Sequence, residues 1–377
     1  MKKRIIPIPL IALCILSSCS QTPDNIQGNN HNVDLNSENN KVSVEHILDN
    51  FDKAFETEYT KFKLPDKSSV IINQPEEICD LELKYVNADK NTKWMKKKIT
   101  ELANFFDIPN NIKIENVNNE NSRFTIETSN KAVDIILFSN PYFILKNNYN
   151  LNDMVNTTIE YIDRIELNEL NSIYQDLIKK SIKLSESINN IMESKLDISA
   201  ADLYIKNYNG ETFYELDLQQ NYKGMGIQCI SPNYLKESND VNNDILAQAM
   251  YTSMWYNSNL NLFLYNGCDS YVPIEINHIN KIISFKGACD ILESQLAENM
   301  TLEFDDMKLW YEPRGSFIDL SDPSISTYEA HDGNKTIKCT PKWFFISDND
   351  EDSNLHHAIN YVTVDCVTGE IEVFFPG

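Results

Sequence analysis

The sequence predicts an α+β protein made of repeated helix-plus-antiparallel-sheet units. Three observations predict it. Residues 170–192 carry Ile173, Leu177, Ile178, Ile182, Leu184, Ile188 and Ile191 as one stripe at helical spacing. Residues 362–375 alternate apolar and polar about a Thr368-Gly369 turn, which is a strand period. The order of one helix followed by several strands recurs along the chain, as it does where helices lie on antiparallel sheets.

The elements follow in order. Residues 42–55 place Val44, Ile47, Leu48, Phe51 and Phe55 at helical spacing, and residues 70–86 read as strand broken by Pro75. Residues 89–106 read as a helix capped by Asp89, with Trp94, Ile99, Leu102, Ala103 and Phe106 on one side. Three β-rich stretches follow at 112–117, 123–128 and 133–145, separated by polar turns. After the long helix, residues 201–208 and 212–218 flank Asn209-Gly210, a hairpin signal. A third helix is expected within 240–256, carrying Leu246, Met250, Met254 and Trp255.

In the last third, Ser284 opens a helix running to about residue 299, and Met307, Leu309 and Tyr311 alternate along a strand. Ile337, Cys339, Pro341, Trp343 and Phe345 then fall on one face, with Lys338, Thr340 and Lys342 on the other. A two-residue turn at Thr368-Gly369 pairs 366 with 371, 364 with 373 and 362 with 375. That register sets Asp365 opposite Glu372, an unfavourable pair that a bulged turn or a neighbouring basic residue would relieve.

The N-terminus carries a different signal. Lys2, Lys3 and Arg4 precede an apolar run from Ile5 to Leu16, too short to cross a hydrocarbon core of ~30 Å. Small residues then lead to a cysteine in Leu16-Ser17-Ser18-Cys19. This order resembles the signal peptide and lipobox of bacterial lipoproteins. The resemblance implies cleavage before Cys19, a diacylglycerol on its thiol, and a lipid-anchored protein on the extracytoplasmic face of the cell membrane. Residues 20–41 hold only three aliphatic side chains in twenty-two positions and bury no core. As a flexible tether they span on the order of 25 Å. The expected division is thus signal peptide 1–18, acylated N-terminus and tether 19–41, an N-terminal α+β region 42–230 and a C-terminal α+β region 231–377.

Four stretches of the last third, "ISFKGACDILESQLAENM", "MKLWYEP", "CTPKWFFIS" and "YVTVDCVTGEIEVFF", resemble the PepSY-type domain of exported Gram-positive proteins. They are also similar to the YycH/YycI-type regulators of a wall-sensing histidine kinase and to clostridial-type lipoproteins. The residues that carry the likeness are Ile283, Ser284, Ala288, Pro341, Trp343, Phe345, Asp365, Thr368, Gly369, Glu370 and Ile371. The likeness implies a cystatin-like helix-and-sheet module and a binding, inhibitory or regulatory role.

Composition narrows the partners. The whole chain carries a formal charge of −23, and loss of the three leader cations leaves 30 Lys+Arg against 56 Asp+Glu. Such a field repels nucleic acid. Cationic peptides, metal ions, sugars such as wall glycans and basic protein faces are compatible. Six cysteines besides Cys14 and Cys19 (Cys79, Cys229, Cys268, Cys289, Cys339 and Cys366) are enough for three disulfides in an exported chain, or serve as buried thiols.

Catalytic signatures are sparse. Asp348, Asp350 and Asp352 imitate the first ligands of a calcium loop, but Ser353 replaces its glycine and Ile359 its closing glutamate. Adjacent His356 and His357 point apart on an extended segment. There is no HExxH, nucleophile elbow or phosphate loop. No cofactor is expected, and the weak acidic run is the sole metal candidate. The sequence therefore favours a cell-surface lipoprotein that binds a peptide, a protein or a wall component. A wall- or glycan-processing hydrolase with a dispersed carboxylate pair is the second reading, since such a pair leaves no motif.

Overall fold

The computed structural model describes residues 41–86, 92–107, 112–118, 121–127, 133–137, 141–145, 160–165, 167, 170–208, 210–228, 251–267, 270–297, 301–314, 336–348 and 359–374. The signal peptide, Cys19, residues 20–40 of the tether, Asp350, Asp352, His356, His357, Cys229 and Cys268 lie outside the described residues.

The described residues form twenty strands and four α-helices. The strands are β1 (Lys41–Ser43), β2 (Phe62–Lys63), β3 (Cys79–Tyr85), β4 (Ile112–Asn118), β5 (Asn121–Glu127), β6 (Val133–Leu137), β7 (Pro141–Leu145), β8 (Glu160–Arg164), β9 (Asp197–Tyr208) and β10 (Glu211–Tyr222). They continue as β11 (Met225–Ile227), β12 (Tyr251–Asn257), β13 (Leu262–Asn266), β14 (Tyr271–His278), β15 (Lys281–Ile283), β16 (Leu302–Glu303), β17 (Asp306–Arg314), β18 (Thr336–Asp348), β19 (Ile359–Asp365) and β20 (Ile371–Phe374). The helices are α1 (Phe51–Glu56), α2 (Thr92–Phe105), α3 (Ser172–Met192) and α4 (Phe285–Gln295).

This overturns the expectation of repeated helix-plus-sheet units. Sixteen of the strands join one sheet, along the path β14-β3-β18-β17-β11-β10-β12-β13-β7-β6-β5-β4, with β19, β20, β8 and β9 branching from it. Successive strand groups keep pairing with one another instead of closing into separate units. The joint between the two ends is the short parallel pair β11–β17, where Gly226 faces Trp310. A Cβ on Gly226 would lie 2.5 Å from Trp310 Nε1 and 2.9 Å from Gln219 Cδ, so only glycine admits this approach.

Two cores flank the sheet. In the first, α1 and α4 cover β3, β17, β18 and β19 through Phe285, Ile291, Leu292, Tyr311, Trp343, Phe345, Val362 and Val364. In the second, α2 and α3 cover β9, β10, β12 and β13 through Ile99, Leu102, Leu177, Ile188, Leu216, Met254, Tyr256 and Tyr265. Each core takes residues from both sides of position 230.

The long helix forms for identifiable reasons. Asn171 Oδ1 accepts hydrogen bonds from the backbone N–H of Ile173 (3.0 Å) and Tyr174 (3.1 Å), and the chain leaves the helix at Glu193 in a left-handed turn. Its buried stripe includes Ser181 and Ser185, which meet the hydroxyls of Tyr256 and Tyr265. Ile173, placed on the stripe by spacing, is exposed in the first turn. None of the described helices is long and apolar enough to cross a membrane.

Four local expectations change. Residues 42–55 are not one helix: β1 pairs with β15, a 3-10 turn follows at Val44–His46, and left-handed Asn50 leads into α1. The pull comes from Phe285, which packs against both Phe51 and Phe55. Residues 251–257 are strand, not helix, because Thr252, Met254 and Tyr256 are buried together on one side. On β18 both faces are buried, Lys342 and Phe344 as well as Trp343 and Phe345. The final hairpin pairs Val362 with Val373 and Val364 with Ile371, two residues from the tight register. The longer turn lets Asp365 Oδ1 accept from Val367 N (2.9 Å) and Thr368 N (2.7 Å), and Gly369 takes its left-handed conformation. Asp365 and Glu372 are thereby taken out of opposition, and the apolar face is kept because the slip is even.

Candidate functional site

The sheet face turned away from α2 and α3 carries the most distinctive group of charges. Alternation along β9 places Asp202, Tyr204 and Lys206 on that face; β10 adds Phe213, Glu215 and Asp217, and β12 adds Ser253 and Trp255. The register sets Asp202 opposite Asp217, Lys206 opposite Phe213, and Glu215 between Tyr204 and Trp255. At the bulge between β12 and β13, Phe263 is the unpaired extra residue, and it packs on Phe213 and Trp255. An aromatic wall therefore borders the charges.

Glu215 is fully engaged. Ser253 Oγ (2.8 Å) and Trp255 Nε1 (2.9 Å) both donate to Glu215 Oε1, and Lys206 Nζ contacts Oε2. The Lys206 side chain is only 4% exposed and its ammonium lies 5.0 Å from the Trp255 ring centre and 5.8 Å from that of Tyr204. Asp217 is in a different state. Burial, then the neighbouring carboxylates Glu215 and Asp202, push its carboxyl well above the usual range, against the pull of Lys206 and a hydrogen bond with Ser253.

The sign of the resulting pH dependence follows. The folded chain holds the Asp217 proton after the unfolded chain has lost it, so this group's contribution to stability falls as pH rises above the ordinary aspartate value of 3.8. Glu193, Glu275 and Glu293 act oppositely. Hydrogen bonds from Lys98 to Glu193, and from Lys223 to Glu275, lower those two carboxyls; bonds from Thr60 and Lys61 lower Glu293 against its burial. Their stabilisation is present above the ordinary glutamate value and is lost as pH falls below it. Replacing Asp217 by Asn should therefore stabilise the fold by on the order of 1 kcal/mol at neutral pH and by nothing near pH 3. Urea unfolding at several pH values checks this; a variant equally stabilised at every pH would refute it.

A second buried ammonium lies on the outer face of β18. Lys342 Nζ meets Glu312 at 2.6 Å and also contacts Glu372, with Asp365 directly across the strand pair. Phe344 packs between Trp310 and Tyr361 beside it. Both lysines neutralise carboxylates inside the sheet, and both are sealed from solvent.

The four described cysteines, Cys79, Cys289, Cys339 and Cys366, are free and buried. Burial raises all four thiols, so they stay protonated and unreactive at neutral pH. Cys79 has a further role: its backbone N–H donates to the Tyr311 hydroxyl at 3.3 Å, where the β3–β18 ladder ends.

Of the candidates taken from sequence, Cys19, Asp350 and Asp352 lie outside the described residues, and Asp348 closes β18 as a backbone position. Among the described residues no three His, Cys, Asp or Glu side chains converge to hold a metal ion. The Lys206–Glu215–Asp217 group was missed. Residues 215 and 217 alternate with buried Leu216 and Leu218 and so read as a solvent face. Ser253 and Trp255 sat in a stretch read as helix, which hid the third strand of the group.

No protein-family model and no curated protein matches the chain. A solved structure of an uncharacterized protein from Eubacterium rectale ATCC 33656 is similar over 87% of this chain and 98% of that one, at 11% identity and a TM-score of 0.48. A likeness at that level bears on neither activity nor partner.

Proposed function

We propose that the chain is a lipid-anchored protein of the extracytoplasmic face of the cell membrane that works by contact, binding a peptide, a protein or a wall component in an envelope process. The observation that carries the non-catalytic reading is the state of Glu215. Both its oxygens are occupied, by Ser253 and Trp255 on one and Lys206 on the other. A carboxylate so held is not placed to attack a substrate or to activate water. The anchor rests on Leu16-Ser17-Ser18-Cys19, and the excess of acidic residues favours a partner with cationic groups.

A hydrolase is the second reading because of Asp217, whose carboxyl is raised by burial and by neighbouring Glu215, the direction in which a general acid is tuned. The two are separated by incubating the purified full chain with isolated cell wall. The binding reading expects the protein to sediment with the wall and to release no soluble sugar. Release of reducing ends that disappears in Asp217→Asn would establish the hydrolase instead. The anchor is checked by feeding cells an alkyne-tagged fatty acid: the chain should take up label, and Cys19→Ser should lose both label and membrane association. An unlabelled, soluble wild-type chain would overturn it.

A further inference from the structure

The arrangement around Glu215 brings together an amine, a carboxyl group and two hydrogen-bond donors, the parts of an acyl-transfer site. Lys206 Nζ approaches the carboxyl from the Oε2 side, while two donors, Ser253 Oγ and Trp255 Nε1, converge on Oε1. Those donors are aimed where negative charge would develop if the carbon were attacked, which is how an oxyanion is stabilised. Lys206 is buried against Trp255 and Tyr204, so its approach is fixed by packing. Fixed geometry of this kind converts a slow bimolecular condensation into an intramolecular one. Phe213, Phe263 and Trp255 wall off one side from water, which favours loss of water over its return.

We propose that Lys206 and Glu215 condense without an added enzyme or cofactor to form an amide bond between Nζ and Cδ, stapling β9 to β10. The ammonium first gives a proton to Oε2, leaving a neutral amine and a neutral acid. The nitrogen lone pair then forms the N–Cδ bond while the carbonyl π pair moves to Oε1, held by Ser253 and Trp255. Asp217, the next carboxyl on the same face, whose burial and acidic neighbours favour its protonated form, gives a proton to the departing hydroxyl and recovers one from nitrogen. The Cδ–Oε2 bond breaks, one water leaves, and Asp217 is restored. Two buried charges disappear in the product, together with their desolvation cost. The reaction happens once per molecule, and the staple resists proteolysis and thermal opening of the hairpin.

Tryptic digestion of the denatured full chain tests this. Lys195, Lys206 and Lys223 bound the relevant peptides. The bond blocks cleavage at Lys206, so the expected product is a single peptide spanning residues 196–223, lighter by one water than its sequence mass. Fragmentation should show residues 206 and 215 joined. Separate 196–206 and 207–223 peptides at their sequence masses, or the joined peptide without the mass loss, would overturn the proposal and leave an ion pair only. This readout needs no variant, so it decides even if substitutions fail to fold. Glu215→Ala should restore cleavage at Lys206 completely. Asp217→Asn should slow bond formation at least tenfold in freshly made protein; formation at the wild-type rate would remove Asp217 from the mechanism.

Discussion

Trp343→Ala is expected to cost the fold about 3–5 kcal/mol, the range for emptying a large aromatic site that cannot collapse. Trp343 is wholly buried, and its indole meets Phe285 edge-on at 5.4 Å between ring centres. Its Nε1 donates to the Ile283 carbonyl at 2.8 Å, tying the central strand β18 to β15, immediately before the cap of α4. The site is rigid on all sides, because α4 is held at its start by Ser284 and β18 is paired along both edges. Trp343→Phe separates the two contributions. It keeps most of the apolar contact but leaves the Ile283 carbonyl without its donor, a loss of about 1–3 kcal/mol. The measurement is a urea midpoint with an unchanged slope for both variants. An alanine variant within about 1 kcal/mol of wild type would mean that the first core does not depend on this residue.

How far the fold could be read from the sequence divides along a physical line. Periodicity located several elements that turn one face to a core and the other to water. That holds for α2, α3 and α4, for the β9–β10 hairpin at Gly210, and for the alternation of Met307, Leu309 and Tyr311. It failed where both faces are buried or where pairing is remote. Lys342 and Thr363 are buried on the face that composition assigned to solvent: Lys342 finds its carboxylates within the sheet, and Thr363 is buried with its hydroxyl unpartnered. The parallel joint of β11 with β17 leaves no local mark, since three residues of strand carry no period, and this joint makes one continuous sheet out of expected units. The candidate site failed for the same reason. Lys206, Glu215, Ser253 and Trp255 come from three strands, and only their register brings them together. Charge alternation on a strand cannot say which carboxylate will be covered.

Lys342 offers the sharper test of that lesson, because the sequence gives it as a surface lysine and the fold makes it an internal cation. Its side chain is 2% exposed and that of Glu312 7%, so Lys342→Met removes the charge that permits Glu312 to be buried. The expected loss is on the order of 3–5 kcal/mol, since an uncompensated carboxylate remains inside the sheet. Adding Glu312→Leu removes the stranded charge, and the double variant should recover at least half of the single variant's loss. A surface ion pair would behave differently: Lys342→Met would then cost under about 1 kcal/mol and salt would mask it. If the double variant is no more stable than Lys342→Met alone, the damage comes from lost packing against Phe344 and Trp310, and the charge has no part in it.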